Sequence, residues 1–266
     1  MGTDRLRHGE EADGEGFIEG RNAVIEALRA GLTIDKVFIA KGETDSALRH
    51  IASVAREAGA AVVEADRRKL DALSATHAHQ GVIAVAACAE YVTIGDMLKD
   101  ARQKNEKPLI VLCDGISDPH NLGAIIRTCE AAGAHGAVIP KRRSAGLGAT
   151  VAKASSGAVY HLAVARVPNI TSAIGELKKE GVWVFGADAG GGMPLWEADF
   201  GRPAAIVVGA EGAGISRLVG ENCDFRVGIP MFGRISSLNA SVAAAILLYE
   251  AVRQRRGDVL SRGEKQ

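Results

Sequence analysis

The sequence of 266 residues is poor in aromatic side chains, cysteine and net charge. Its four cysteines are too few for a disulfide scaffold in a chain of this length. They form no C-x-x-C pair and have no histidine at zinc-ligand spacing, which argues against a metal site. Lys plus Arg and Asp plus Glu both number 32, so the net charge is zero. A protein that coats nucleic acid by bulk charge is thereby excluded, although a local basic patch is not. We expect buried, reduced cysteines and no bound metal.

Long apolar segments are also absent from the sequence. No apolar run approaches the roughly 18 residues that a membrane-spanning helix needs. The opening MGTDRLRHGEEADGEG is charged where a secretory signal would be apolar. The sequence therefore predicts a cytoplasmic protein without a membrane segment.

The sequence does contain enough small apolar residues for a large core. Hydrophobic residues make up 47% and charged residues 24%, with 32 glycines. This is the composition of a globular protein and not of a disordered or repetitive one. At roughly 150 residues per domain, the length predicts about two domains.

The first part of the chain predicts a small α/β domain over residues 16–90, preceded by a disordered polar tail at 1–15. Ser46 is expected to be the N-cap of the second helix, because serine side chains bind the free N–H groups of a first turn. The polar stretch 91–107 predicts a connecting helix plus a linker. Apolar spacing predicts helices at 20–31, 46–60 and 67–74, and strands at 36–40, 61–65 and 81–87.

Residues 108–256 predict a second α/β domain, followed by a tail at 257–266. Runs such as AAIVV are apolar at every position, which is typical of strands buried on both faces. They predict a mostly parallel sheet covered by helices. An Ala-rich helix is expected from about Ser237 onwards. Strands are predicted at 109–113, 137–139, 159–164, 182–186, 204–209 and 226–229.

Ligands of α/β sheets bind beyond the carboxyl ends of strands, so the loops there are candidate sites. In the segment after 109–113, Asn121 is a plausible N-cap of the helix that follows. Arg127 on that helix lies roughly 100° or more from the centre of the helix's apolar stripe. It is either a solvated surface arginine or a residue that faces a ligand.

The loop GAEGAG at 209–214 follows the strand that contains AAIVV. It matches neither G-x-G-x-x-G nor a Walker loop, which needs a Lys-Ser/Thr pair. Its glycines nevertheless let the backbone approach a ligand closely. Glu211 either serves that ligand or caps a helix that begins at Ile215.

A third loop leads from the strand at 226–229 into the Ala-rich helix. Three polar residues lie at the helix N-terminus, Ser236, Ser237 and Asn239. Free N–H groups at such a terminus hold polar ligands or anions. One of the three residues would be enough to cap the helix, so the others are candidates for ligand contact. The basic run at 141–143 lies in a loop beside the first candidate site. It suits phosphate contact, although such clusters are often only solvated.

The three loops together resemble the motifs of the SpoU (TrmH-like) branch of the SPOUT methyltransferases. The resemblance extends over residues 108–256 and includes the order, the spacing and the residue identities of the motifs. The first domain resembles the family's L30e-like substrate-binding domain through GRNAVIEAL and HQGVIA. This layout is similar to that of the family's 23S rRNA guanosine 2′-O-methyltransferases. The matching motif segments are DPHNLGAIIRTCEAAG, VVGAEGAGIS and IPMFGRISSLNASVAAAILLYEA.

The resemblance implies an RNA 2′-O-ribose methyltransferase that uses S-adenosylmethionine. It also implies a homodimer, a deep trefoil knot in the second domain, and RNA as the partner, with rRNA favoured. The implied catalytic residues are Asn121, Arg127, Glu211, Ser237 and Asn239, the implied cofactor contacts Gly209, Ile229 and Leu238, and the expected RNA contacts Lys141, Arg142 and Arg143.

Arg127 matches the arginine of the family's first motif. A role as general base conflicts with a guanidinium pKa above about 12, so we expect Arg127 to stabilise charge on the 2′-oxygen and the neighbouring phosphate. Glu211, Ser237 and Asn239 are expected to fix this arginine, the ribose and the cofactor.

Two other functions stay open: methylation of tRNA, and non-catalytic binding of RNA in ribosome assembly. The presence of all five polar motif residues argues against lost catalysis. The first domain favours rRNA, by analogy with shorter tRNA enzymes that lack it. Phe232 and Arg234 stand where smaller residues are expected, which leaves the substrate preference open. A nucleotide-binding dehydrogenase is disfavoured because its fingerprint is absent.

Overall fold

A computed structural model describes residues 16–42, 45–190 and 192–260. The predicted disordered tail at 1–15 lies outside the described residues. The predicted tail at 257–266 also lies outside them, apart from its first residues, which continue the last helix. No helix within the described ranges is long and apolar enough to cross a membrane.

The first domain is a mixed sheet with helices on both faces. Its described elements are β1 (Phe17–Glu19), α1 (Arg21–Arg29), β2 (Ile34–Ala40), α2 (Ser46–Glu57), β3 (Ala61–Ala65), α3 (Arg67–Leu73) and β4 (Val82–Ala86). The strand order is β1-β4-β2-β3, with β2 and β3 parallel and the other neighbours antiparallel. Side chains alternate along β2, so Val37 packs with α1 and α2 whereas Phe38 packs with α3.

The prediction that Ser46 caps the second helix is wrong. Asp45 is the N-cap, and its carboxylate accepts the N–H of Ala47 at 2.8 Å. Ser46 is the first residue of α2. An aspartate caps as well as a serine and adds a negative charge at the positive end of the helix dipole.

The segment 91–107 contains the predicted helix, but the helix is not part of a linker. Thr93 and Asp96 form a capping box in which each side chain accepts the other residue's N–H, at 3.1 and 2.9 Å. They start helix α4 (Ile94–Gln103), whose apolar face is buried in the core of the second domain. The connection between the domains is therefore the short stretch 87–92.

The second domain is a sheet in which every described pairing is parallel, covered by helices on both faces. Its further described elements are β5 (Leu109–Asp114), α5 (Pro119–Ala131), β6 (Gly136–Pro140), α6 (Ala149–Ala154), a 3-10 turn (Ala158–Tyr160), β7 (Val164–Val167), α7 (Ile170–Lys179), β8 (Trp183–Ala187), β9 (Met193–Pro194), a 3-10 turn (Leu195–Glu197), β10 (Ala204–Gly209), α8 (Arg217–Asn222), β11 (Phe225–Gly228) and α9 (Ala240–Leu260).

The predicted strand at 159–164 is wrong, because the strand begins only at Val164. Ser156 and Gly157 both have left-handed backbone conformations, with φ of 51° and 84°, and they turn the chain after α6. Val159 lies in the 3-10 turn that follows, and its side chain is buried in the core. An apolar run can thus reach the core without forming a strand.

The described strands of the second sheet follow the order β7-β6-β5-β10-β8-β11-β9. The chain first builds the side that contains β6 and β7, and β10 later fills the position between β5 and β8, where the direction of winding reverses. Ligands of open α/β sheets bind at such a reversal. Because the strands are parallel, the loops after β5, β8, β10 and β11 leave the sheet at one edge.

Candidate functional site

Side chains from two loops and the first turn of helix α5 meet at the carboxyl edge of the second sheet. The amide of Asn121 donates a hydrogen bond to Oε1 of Glu211 at 3.0 Å, and the amide of Asn239 donates to the same oxygen. Asn239 also donates to Oδ1 of Asn121 at 2.9 Å. We call these three residues the Asn–Glu–Asn cluster. Between 28 and 118 positions separate its members along the chain.

Asn121 reaches the cluster because it is not the N-cap of α5, contrary to the prediction. Asp118 is the N-cap, and its carboxylate accepts the N–H of His120 at 3.0 Å. Pro119 takes the first helical position, where its fixed φ suits the helix and its missing N–H is not needed. The Asn121 side chain is thereby available to Glu211.

The loop at 209–214 folds back on itself and presents Glu211. The N–H of Gly214 donates to the carbonyl of Ala210 at 2.8 Å. Gly212 and Gly214 have left-handed backbone conformations, with φ of 73° and 65°, which other residues rarely adopt. The glycines therefore form a tight turn with one carboxylate at its tip.

The alternative role of Glu211 as a helix cap is wrong. Helix α8 begins at Arg217, with Ser216 as its N-cap. The carboxylate that accepts the N–H of Ser216, at 2.7 Å, belongs to Asp114 at the end of β5. Glu211 is instead exposed and held by two amides, so it can face a ligand.

Asn239 both caps a helix and joins the cluster. Its Oδ1 accepts the N–H groups of Ser241 at 2.9 Å and Val242 at 3.3 Å, and its amide nitrogen belongs to the cluster. Helix α9 therefore begins at Ala240, later than predicted. Ser237 consequently lies in the loop and not in the helix.

A cavity of about 350 Å³ opens beside the cluster, between the loops that follow β8, β10 and β11. Its size is that of a small-molecule site. The predicted cofactor contacts Gly209, Ile229 and Leu238 line it, together with Glu211 and Ser237. Much of the remaining lining is glycine and alanine, which leaves backbone N–H and C=O groups accessible.

Two charged residues of the cavity wall were not predicted from the sequence. Asp188 follows β8 and Arg226 lies on β11, and the guanidinium binds the carboxylate at 2.8 Å. The strand VWVFG is followed by ADAGGG, a glycine-rich strand end like the one at 209–214. That similarity is the signal that would have identified Asp188.

Arg127 does not join the cluster. It is exposed on α5 and has no hydrogen-bonding or ionic partner among the described residues. Arg127 follows Asn121 by six residues, which corresponds to about 9 Å along a helix axis. Glu211 binds the two asparagines, and the role of Glu211, Ser237 and Asn239 in fixing the arginine, the ribose and the cofactor stays a prediction.

The predicted RNA contacts Lys141, Arg142 and Arg143 are exposed in the loop after β6. The N–H of Lys141 donates to the carbonyl of Val167 at 2.8 Å, and Arg143 turns the chain with a φ of 58°. Three cations therefore project from the carboxyl edge that carries the cluster. Across the described ranges, no group of His, Cys, Asp and Glu could hold a metal ion.

Known families match both domains of the chain. Residues 108–249 match the SpoU rRNA Methylase family, and residues 17–92 match the family described as RNA 2′-O ribose methyltransferase substrate binding. A candidate TrmH family tRNA/rRNA methyltransferase of Bacillus subtilis, YacO, is 45% identical over 239 residues, which cover 90% of this chain and 96% of that protein. A protein of the same description from Staphylococcus haemolyticus is 45% identical over 238 residues, covering 90% and 95%.

Some solved structures resemble the chain across both domains, and others resemble only part of it. The SpoU methyltransferase AviRb of Streptomyces viridochromogenes, in complex with AdoMet, has a TM-score of 0.59 at 27% identity and covers 92% of each chain. An AdoMet-bound rRNA methyltransferase of Sinorhizobium meliloti has a TM-score of 0.57 at 26% identity, covering 90% of this chain and 87% of that one. A structure concerned with 2-OH methylation of C/U34 on tRNA has a TM-score of 0.53 at 26% identity and covers 57% and 98%.

We expect Gly209→Ala to distort the loop itself. A Cβ at Gly209 would overlap the backbone of Gly214 and Ile215, which cannot move aside like the end of a flexible side chain. The free energy of unfolding of the second domain should fall by about 1–3 kcal/mol, measured by urea denaturation. Gly148→Ala is the matched control, since Gly148 has a φ of −81° and open space around a new Cβ. Equal losses in the two variants would contradict the expected clash.

Proposed function

Because the chain belongs to the SpoU family of rRNA methylases, we propose that it transfers a methyl group from S-adenosylmethionine to the ribose 2′-hydroxyl of a guanosine in 23S rRNA. The observation that carries this proposal is the Asn–Glu–Asn cluster beside a glycine-lined cavity. Its three side chains hold one another in place before any ligand binds. Such preorganisation distinguishes a reaction site from a solvated polar surface.

The first domain supports rRNA as the substrate. The rRNA methyltransferase of Sinorhizobium meliloti covers 90% of this chain, whereas the structure concerned with tRNA position 34 covers 57%. A separate substrate-binding domain provides a second contact surface, which suits a large folded RNA. The choice of guanosine follows from the similarity in layout to the family's 23S rRNA guanosine enzymes.

The cavity fits S-adenosylmethionine in size and in the character of its lining. Backbone groups at Gly209, Ile229 and Leu238 would hold the cofactor, and Asp188 offers a carboxylate in the same wall. When bound, the sulfonium cofactor supplies an activated methyl group. Glu211 places negative charge near that cationic ligand and at the same time anchors the two asparagines.

The acceptor side of the site depends on Arg127. Negative charge builds on the 2′-oxygen as its proton leaves, and a guanidinium with no partner among the described residues is available to stabilise it. A guanidinium stays protonated, so Arg127 acts electrostatically and not as a base. Lys141, Arg142 and Arg143 contact phosphates and set the register of the RNA strand.

A homodimer fits the apolar surface around the third motif. Phe232 is 93% exposed, and Ile235, Val242 and Tyr249 are also largely exposed. Val242 and Tyr249 lie seven residues apart on α9 and therefore share one face. A second copy of the chain would cover this surface.

The deep trefoil knot and the cytoplasmic location stay predictions. The knot is what the resemblance to the SpoU family implies. The location follows from the substrate, since bacterial ribosomal RNA is modified in the cytoplasm.

Mapping of 2′-O-methylation in a strain that lacks the gene tests the function directly. We expect one guanosine of 23S rRNA to lose its 2′-O-methyl group while tRNA methylation is unchanged. The purified protein with S-adenosylmethionine should restore the mark on rRNA from that strain. Loss of a tRNA mark instead would identify a tRNA enzyme, and loss of none would support a non-catalytic RNA-binding protein.

Ala243→Leu tests the cofactor cavity. Ala243 lines the cavity from α9, so a larger side chain there should weaken binding of S-adenosylmethionine by about tenfold or more. Ala131→Leu is the control, because Ala131 is exposed on α5 and does not line the cavity. Isothermal titration calorimetry measures both affinities. Equal affinity in a folded Ala243→Leu variant would place the cofactor elsewhere.

Arg127→Ala tests the acceptor side. The rate of methyl transfer should fall by about 10²–10³-fold, because one preorganised donor to the developing charge is lost. Arg127→Lys should also be slow, since a point charge does not reproduce the planar fork of donors. Single-turnover methylation of rRNA measures these rates, and cofactor affinity should change little. A fully active alanine variant would remove Arg127 from the mechanism, and a fully active lysine variant would show that charge alone is required.

A further inference from the structure

The two domains are joined by a buried charged cluster and not by a shared apolar core. Each of the apolar clusters formed by the described residues lies within 17–86 or within 87–252. The junction between them instead contains Asp35 of β2 and Arg166 of β7, whose side chains are 4% and 10% exposed. The guanidinium and the carboxylate lie 2.9 Å apart.

The guanidinium of Arg166 makes all of its described hydrogen bonds across the junction. One guanidinium nitrogen donates to Oδ1 of Asp35 at 2.9 Å and to its carbonyl at 3.0 Å. The other donates to the carbonyls of Ile34 at 3.3 Å and Gly59 at 2.9 Å. Every acceptor belongs to the first domain, whereas Arg166 belongs to the sheet of the second. A planar fork of donors fits this set of acceptors in one relative orientation of the domains.

Tyr91, in the connection between the domains, completes the cluster. Its hydroxyl donates to Oδ1 of Asp35, and its ring lies 4.2 Å from the guanidinium carbon of Arg166. The same hydroxyl accepts the N–H of Leu147 at 3.2 Å. Burial raises the pKa of Tyr91, so the hydroxyl keeps the proton that it donates. We call Asp35, Tyr91 and Arg166 the junction cluster.

The junction cluster also contacts the loop at 141–148, which carries the three exposed cations. Gly146 lies so close to the carboxylate of Asp35 that a Cβ at this position would overlap it. The neighbouring N–H of Ala145 donates to the carbonyl of Ile116 at 2.8 Å. Ile116 lies just before α5, the helix of Asn121. A continuous set of contacts therefore links the first domain to the active site.

Stability alone does not explain a buried ion pair at this position. Removing two charges from water offsets most of their attraction, so packed apolar side chains would join the domains as strongly. The forked cluster adds a fixed orientation. Two RNA-binding surfaces on one rigid body also bind RNA more tightly than on a loose tether, because the effective concentration of the second surface is higher.

We propose that Asp35, Tyr91 and Arg166 are positioning residues that fix the first domain relative to the active site and so determine where bound rRNA presents its target ribose. The substrate in this proposal rests on the proposed function. The orientation of the domains is a property of the protein alone and is measured separately.

The test compares the full-length protein with variants of the junction cluster. Arg166→Met combined with Asp35→Asn removes the fork and leaves no unpaired charge buried, and Tyr91→Phe removes only one hydroxyl. Arg217→Met is the control, because its guanidinium binds Glu221 on the surface of α8, with the side chain 86% exposed. Small-angle X-ray scattering reports domain orientation, calorimetry reports cofactor affinity, and steady-state methylation of rRNA separates KM from kcat.

We expect the double variant to show a larger radius of gyration and a KM for rRNA that is raised by about tenfold or more. Its kcat and cofactor affinity should stay within about twofold of the native values, since the Asn–Glu–Asn cluster is unchanged. Tyr91→Phe should shift in the same direction by less, and it decides the question if the double variant does not fold. The control should match the native protein in every measurement.

Unchanged scattering in the folded variants would overturn the proposal, and so would altered scattering with an unchanged KM. Arg166→Lys should behave like the double variant, because it keeps the charge without the fork. Full recovery of orientation and KM by lysine would also contradict the proposal. Failure of the native protein to methylate rRNA would refute the proposed function, while the scattering data would still decide whether the junction cluster orients the domains.

Discussion

The parallel alignment of the second sheet, with β10 between β5 and β8, is the constraint on which the site depends. Successive residues of β10 face opposite cores: Ile206 packs into one and Val207 into the other, both without exposure. A strand that is buried on both faces has no room for polar side chains. The polar groups of the site therefore lie beyond or near the ends of the strands, and the common strand direction brings those ends to one edge.

Close approach of the glycine backbone to neighbouring groups then shapes the cavity wall and the junction. Gly209 ends β10 in contact with the chain that returns after the turn, and Gly146 brings its loop against Asp35. At both positions a single methyl group would overlap its neighbour. The glycines are thus needed because they leave room for close packing, and not only because their backbone is free, at the wall of the cavity and at the junction between the domains.

Sequence patterns predicted most strands of the second sheet. An apolar run such as AAIVV is buried on both faces only when it forms an inner strand of a covered sheet. The patterns also identified the three segments that meet at the site. They failed where a local choice had two candidates: Asp118 and Asn121 are both good caps, and Pro119 decides between them. Contacts between distant segments, such as Asp188 with Arg226, leave no local pattern. The burial of Asp35 was also unpredictable, since its partner Arg166 lies 131 residues away.

The junction cluster and the Asn–Glu–Asn cluster are built from different chemistry because they have different tasks. The junction cluster is buried and pairs full charges, so any rearrangement would expose an unpaired charge to a poorly solvated interior. The Asn–Glu–Asn cluster is largely exposed and uses neutral amides around one carboxylate, so its hydrogen bonds can be exchanged for bonds to a ligand at little penalty. The site must adapt to its substrate, whereas the junction cluster must keep the orientation of the domains unchanged. The contacts through Gly146, Ala145 and Ile116 connect the rigid cluster to the adaptable one.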